Sequence, residues 1–287
     1  MKPQNLKTKI FLDEGDVDET REILHILGFL DGQTTNPTSI SKNPEAQKML
    51  SEGKKFTKKE IHEFYKKVVK QISDYIPQGS VSIEVCSDKR SKAFTMIGEG
   101  KEMFYWISNA HIKFPITHEG LLAAEMAIKL DMRVNMTLCF TQEQAAAVYT
   151  ATLGAKKGQV FISPFIGRLD DRGENGMDLV KNIIEMYKKG DGHVEVLSAS
   201  VRSMDHFLYA ISLGSDIITS PLKILKEWGA GGMKIPENYL YDAKSLKPIL
   251  YQEIDLNKSW KEYNIQHELT DIGIEKFSAD WNSLISL

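Results

Sequence analysis

Two cysteines, Cys86 and Cys139, are all that 287 residues contain. Each sits inside an apolar segment, where a free thiol behaves as a small buried hydrophobe, a usage that fits a reducing cytosol. No cysteine pair has a metal-ligand gap, and the histidines at 25, 62, 111, 118, 193, 206 and 267 show neither H-x3-H nor H-E-x-x-H spacing, so no metal is expected. An excess of one charge is also missing. Lys+Arg number 36 against Asp+Glu 39, a formal charge of -3, and the signs are mixed along most of the chain, which gives nucleic acid no basic surface. Nowhere do about 18 apolar residues run together, and Met1 to Asp13 holds no apolar stretch long enough for a signal peptide; a soluble cytoplasmic protein without a membrane partner is expected. Gly229-Ala-Gly-Gly232 lacks the G-x-G-x-x-G pattern and a following Lys-Ser/Thr, so a nucleotide cofactor is not expected. A Ser-His-Asp nucleophile elbow is absent, as are internal repeats and low-complexity tracts.

What is present is ordinary globular material, 42% hydrophobic and 26% charged, enough for a large core. The length suits one α/β barrel, a fold of roughly 250 residues, so residues 1–287 read as a single domain. Short apolar runs recur, each followed by a longer stretch of helical period: Lys9–Asp13, Gly32–Asn36, Val81–Val85, His111–Pro115, Arg133–Thr137, Val160–Ser163, Val194–Ser198 and Asp216–Ser220. Eight strands alternating with helices predict a closed parallel (β/α)8 TIM barrel, with its core over about 9–228. Helix starts are signalled by Asp16 with Glu19, Thr117 with Glu119 and Thr141 with Gln144, and Leu122, Met126 and Leu130 share one helical face. The rhythm breaks over about 229–266, which reads as an insertion after strand eight. A last helix, about 272–285, carries Ile274, Phe277, Trp281 and Ile285 as an apolar stripe that needs a cover.

Barrel strands are mostly aliphatic because both faces are buried, so polar interruptions need reasons. Lys113 is flanked by apolar residues on the fourth strand. A buried lysine without a partner is driven toward the neutral amine, a nucleophile for carbonyl carbon; the alternative is an amine that snorkels to solvent or pairs with a structural carboxylate. Asp13 ends strand one, Asn36 strand two, Glu84 lies in strand three, and Asn135 and Thr137 point to one side of strand five. Each has a plainer reading: Asp13 as a helix cap, Asn36 as a turn before Pro37, Glu84 as the partner of a core cation. Ser163 and Arg168 follow strand six and Ser200 and Arg202 follow strand seven, a set suited to phosphate.

These segments together resemble the transaldolase family, including the fructose 6-phosphate aldolases. The resemblance rests on Phe11-Leu-Asp13 with Asp16, Thr34-Thr-Asn-Pro37, Ile112-Lys-Phe-Pro-Ile-Thr-His-Glu-Gly-Leu121, Asn135-Met-Thr-Leu138, Ser163-Pro-Phe-Ile-Gly-Arg168 and Ala199-Ser-Val-Arg202, six motifs in the family order. The segment Leu269–Trp281 also looks like the family's ending.

The resemblance implies a class I mechanism of the pentose phosphate pathway. Lys113 would form a Schiff base with the C2 ketone of a ketose phosphate, and Asp13 would be the general acid/base. Glu84 and Thr137 would attend the water of imine formation and hydrolysis. Asn36, Asn135 and Ser163 would hold the dihydroxyacetone unit, and Arg168, Ser200 and Arg202 the phosphate, with no cofactor. Glu84 and Phe165 stand where the aldolase branch typically has Gln and Tyr, which favours transfer over release of free dihydroxyacetone. Glu14-Gly15 and Val201 depart from the family pattern. A fructose 6-phosphate aldolase, a sugar-phosphate-binding barrel without catalysis and a barrel isomerase with a Glu base are the competing readings, and a homo-oligomer is the expected assembly.

Overall fold

Strand β1 (Lys9–Asp13) pairs in parallel with β2 (Gly32–Thr34), and the pairing continues through β3 (Ser80–Glu84), β4 (Ala110–Pro115), β5 (Val134–Cys139), β6 (Val160–Pro164), β7 (Val194–Ser198) and β8 (Ile217–Ser220). Lys9 opposite Ile217 and Ile10 opposite Ile218 bring β8 back to β1 and close the ring. The computed structural model describes residues 2–237, 239–243 and 245–286, and it is the (β/α)8 barrel that the eight runs predict. Closure leaves no sheet edge, and Val, Ile, Leu and Phe side chains fill the strands' buried faces. Helices α1 (Val17–Leu27), α2 (Pro37–Ser41), α3 (Pro44–Ser51), α4 (Lys58–Tyr75), α5 (Ala93–Phe104), α6 (His118–Lys129), α7 (Gln142–Ala151), α8 (Ile166–Asp170), α9 (Gly176–Tyr187), α10 (Met204–Leu213) and α11 (Leu222–Ala230) connect the strands, and α12 (Glu268–Ser283) ends the chain. Among the described residues no helix is long and apolar enough to cross a membrane.

Helix starts follow the caps. Thr117 accepts from the Gly120 N–H at 3.0 Å, Thr141 from Gln144 at 3.0 Å and Asp16 from Asp18 at 3.0 Å. Two expectations fail. Strand two stops at Thr34, and Asn36 caps α2: its Oδ1 accepts from the Ser39 N–H and its own N–H donates to Ser39 Oγ, both at 2.9 Å, while Pro37 occupies the first helical position, where a missing N–H costs nothing. On α6 the buried face is Gly120, Leu121, Ala123, Ala124 and Ala127, and Leu130 is exposed. Small residues win there because α6 lies close against α5 and β4.

The irregular segment after α11 is a belt around the outside of the barrel. Its first residues, Gly229 and Ala230, still belong to α11. Beyond them Tyr241 stacks on Tyr209 of α10 at 4.7 Å, and Ile249 is held between Asp178 and Asn182 of α9. Gln252 exchanges two hydrogen bonds with Gln142 of α7, and Trp260 donates to Glu125 of α6 at 3.1 Å. Having passed four helices, the chain delivers α12 to the mouth of the barrel. That helix starts at Glu268, four residues before its expected start, capped by His267. Ile274, Phe277 and Trp281 are buried, so the apolar stripe finds its cover, against α2 and β5. At Gly273 the contact is so close that a Cβ would lie 2.6 Å from Leu138 Cδ2 and 2.8 Å from Arg168 Nη1. We therefore expect Gly273→Ala to destabilise the protein by about 1–3 kcal/mol through overpacking, read as a lower denaturation midpoint; an unchanged midpoint would mean that α12 is not seated this tightly.

Candidate active site

At the carboxyl ends of the strands lies a cleft of about 440 Å³, the face where barrels of this kind carry their chemistry. Lys113 is at its floor and is only 4% exposed. It does not snorkel. Its ammonium lies 2.9 Å from Glu84 Oε2, the residue opposite it in the β3–β4 register, and donates to the Thr35 carbonyl at 3.1 Å. Of the two expectations for this residue, an unpartnered amine and one paired with a carboxylate, the structure shows the second: Lys113 and Glu84 are a buried ion pair. Tyr65 of α4 braces it, accepting from the Glu84 backbone N–H at 3.0 Å and sharing a 2.6 Å hydrogen bond with Thr35 Oγ1. Burial holds the Glu84 carboxyl above its ordinary range, opposed by the charges of Lys113 and Arg168.

Asp13 lines the same cleft from the end of β1. Thr34 Oγ1 donates to its Oδ1 at 2.9 Å and is itself 2.6 Å from Thr219 Oγ1. Burial raises the Asp13 carboxyl, while the charge of Lys113 and the Thr34 hydroxyl pull it back. Thr137 and Ser163 are in the wall. The Thr137 hydroxyl is buried and has no partner among the described residues. Ser163 donates to Asn135 Oδ1 at 2.7 Å, and Asn135 donates to Ser82 at 3.1 Å. Asn135 and Glu84 thus lie one layer below the surface of the cleft, reaching it through Ser163 and Lys113. Asn36 is in the wall, with its side-chain oxygen already occupied by the α2 cap.

The opposite side is cationic. The Arg168 guanidinium lies 5.3 Å from the Phe165 ring and 5.4 Å from that of Phe277, and it makes no ion pair among the described residues. Arg202 reaches Asp171 at 3.0 Å near the surface. Ser200 stands between them at φ 57°, in the left-handed region that costs an L-residue roughly 1–2 kcal/mol. Its carbonyl accepts from the Gly167 N–H at 2.9 Å, and a Cβ on Gly167 would meet Arg202 Cγ at 2.4 Å. Helix α8 and the loop after β7 are therefore locked together, which holds Arg168, Ser200 and Arg202 on one side.

Among the residues named from sequence, Asp13, Asn36, Lys113, Thr137, Ser163, Phe165, Arg168, Ser200 and Arg202 line the cleft directly. The cleft also contains residues that sequence reasoning missed: Glu14, Lys42, Thr219, Lys276 and Phe277. Burial, with the Glu19 and Asp13 carboxylates beside it, pushes Glu14 up to about 7. Phe277 carried a signal as part of an apolar stripe, and Lys276 only as a member of the Leu269–Trp281 segment that resembles the family's ending.

A buried lysine paired with a carboxylate at the carboxyl-terminal mouth of a parallel barrel, with a second carboxylate and two guanidinium groups lining the same cleft, is the arrangement of an α/β-barrel enzyme. The profile described as "Transaldolase/Fructose-6-phosphate aldolase" matches residues 10–287. A "Probable transaldolase" of Dehalococcoides mccartyi is 33% identical over 276 residues, 96% of this chain and 99% of its own. Those of Paracoccus denitrificans and Bdellovibrio bacteriovorus are 35% and 33% identical, over 95% and 96% of this chain and 96% and 97% of theirs. The chain belongs to the transaldolase/fructose-6-phosphate aldolase family.

The geometry at Asp13 carries a signed expectation. Thr34 stabilises the charged carboxylate, so Thr34→Val should raise the Asp13 carboxyl further, measured by carboxyl ¹³C titration; a carboxyl that titrates lower in the variant would contradict the hydrogen bond's role.

Proposed function

We propose that the protein is a transaldolase that moves a dihydroxyacetone unit from a ketose phosphate to an aldose phosphate through a Schiff base on Lys113. The observation that carries this reading is the amine itself, buried at the floor of the cleft between two carboxylates, Glu84 at 2.9 Å and Asp13 in the same wall.

The Lys113 nitrogen, having given up its proton, adds to the C2 ketone of the donor, and loss of water yields the iminium. Glu84 is the nearest acceptor for that proton. With the free Thr137 hydroxyl it would hold the departing and returning water. The Asp13 carboxylate then takes the proton of the C4 hydroxyl. The C3–C4 bond breaks, C4 leaves as the aldehyde carbon of an aldose phosphate, and the bonding pair passes to C3 as an enamine conjugated with the lysine nitrogen. Arg168, Ser200 and Arg202 hold the phosphate, while Asn36 and Ser163, the latter backed by Asn135, take the hydroxyls at C1 and C3, which converts remote binding into orientation. At Phe165 an apolar ring faces Arg168 with no hydroxyl to protonate the enamine, so the intermediate waits for an acceptor aldehyde, which adds at C3 and reverses the sequence.

Borohydride reduction in the presence of fructose 6-phosphate should leave a mass adduct on the Lys113 peptide and none in Lys113→Met; a folded protein that binds the sugar without adduct would overturn the covalent reading. Release of glyceraldehyde 3-phosphate should be fast only when erythrose 4-phosphate is added. Equal rates, with free dihydroxyacetone accumulating, would instead assign the aldolase activity. Asp13 acts as a base, so activity should fall as pH drops through its folded-state value. Because burial raises that value, the acid limb of kcat/KM should lie above the ordinary aspartate range. Asp13→Asn should lower kcat by roughly 10²–10⁴; an acid limb unchanged in this variant would remove Asp13 from the role.

A further inference from the structure

The cationic side of the cleft contains three positive side chains. Arg168 comes from α8, directly after β6, Arg202 from the loop after β7, and Lys276 from α12, which reaches the site only because the belt has carried it around the barrel. Lys276 is adjacent in sequence to Phe277, whose ring packs on Arg168. Its ammonium is held by Asp280 at 2.6 Å, and Asp280 also accepts from the Thr38 hydroxyl of α2. The charge of Asp280 is felt at Arg168, which places Lys276 and its partner at the same end of the cleft as the guanidinium groups.

We propose that Lys276 is a specificity-determining residue: a third cationic ligand for the phosphate of the sugar, held on Asp280 until a phosphorylated substrate enters. This rests on the reading of that end of the cleft as the phosphate site. The charges favour it. A phosphate monoester carries about -1.5 to -2 near neutral pH, whereas Arg202 is already partly neutralised by Asp171 and Arg168 alone brings one charge. The Lys276–Asp280 pair is suited to release. Its lysine is 57% exposed while Asp280 is 17% exposed, so the ammonium is the mobile partner, and the lysine precedes the acid by four residues, the weaker orientation on a helix. Asp280 is not stranded when the ammonium leaves, because the Thr38 hydroxyl remains bonded to it. A lysine, with its point charge on a flexible stem, suits this movement where an arginine wedged between two rings does not.

The test is calorimetric titration of inorganic phosphate into the wild-type protein, Lys276→Met and Lys276→Arg, with KM and kcat for fructose 6-phosphate measured alongside. Loss of one charge-assisted contact should weaken phosphate binding and raise KM by about tenfold in Lys276→Met. Melting temperature and kcat should be nearly unchanged, and Lys276→Arg should restore most of the affinity. Unchanged phosphate affinity in Lys276→Met, or a lower melting temperature with phosphate binding intact, would overturn the assignment and leave Lys276 a structural residue of α12. Phosphate binding requires no turnover, so the result stands whether or not Lys113 forms an adduct; a wild-type protein that binds no phosphate would overturn this inference while leaving the Schiff base to its own test.

Discussion

The Lys113–Glu84 ion pair is the interaction on which the rest of the site depends. Two charged groups 2.9 Å apart, each no more than 5% exposed at the side chain, are an expensive thing to put inside a barrel. Desolvation of such a pair offsets most or all of its attraction, and an apolar pair of the same size would serve stability as well. Once both are present, neither is expendable for folding, since stranding one buried charge typically costs about 3–5 kcal/mol. The surroundings are arranged accordingly. The Thr35 carbonyl accepts from the ammonium, Tyr65 fixes both Thr35 and the Glu84 backbone, and the charges of Asp13 and Arg168 reach the pair from two sides.

The second constraint is the belt. A barrel can close with α11, yet here the described residues between α11 and α12 contact α10, α9, α7 and α6 from outside and seat one more helix over the cleft. Gly273 permits close contact with Leu138 and Arg168, Phe277 forms one wall of the Arg168 sandwich, and Trp281 packs 5.7 Å from Tyr65, the residue that braces Glu84. The last helix therefore touches both the cationic side of the cleft and, through Tyr65, the lysine floor.

Much of this was legible in the sequence, because the signals involved are local. Apolar runs of four or five residues separated by helical periods identify barrel strands, and a polar residue inside such a run, such as Lys113 or Glu84, stands out against an aliphatic background. Local signals also misled. Asn36 follows Thr34 and Thr35 without a break in pattern, and only the Ser39 partnership shows that the strand has ended. The Leu122, Met126 and Leu130 spacing is sound helical periodicity, but the close approach of α6 to β4 selects the alanine face instead. What the sequence could not show was contact between distant segments. Lys276 becomes part of the site only because a helix far along the chain docks on α2, with Thr38 bonded to Asp280. Glu14 looked like a loop substitution until burial beside Asp13 and Glu19 gave it a shifted carboxyl.

The central claim is that the buried ion pair is the resting form of a covalent catalyst. Diffraction from crystals reduced with borohydride in the presence of fructose 6-phosphate tests it most directly. Continuous electron density from Lys113 Nζ into C2 of the sugar is the predicted result; sugar phosphate bound in the cleft with no density joining it to Lys113 would contradict it.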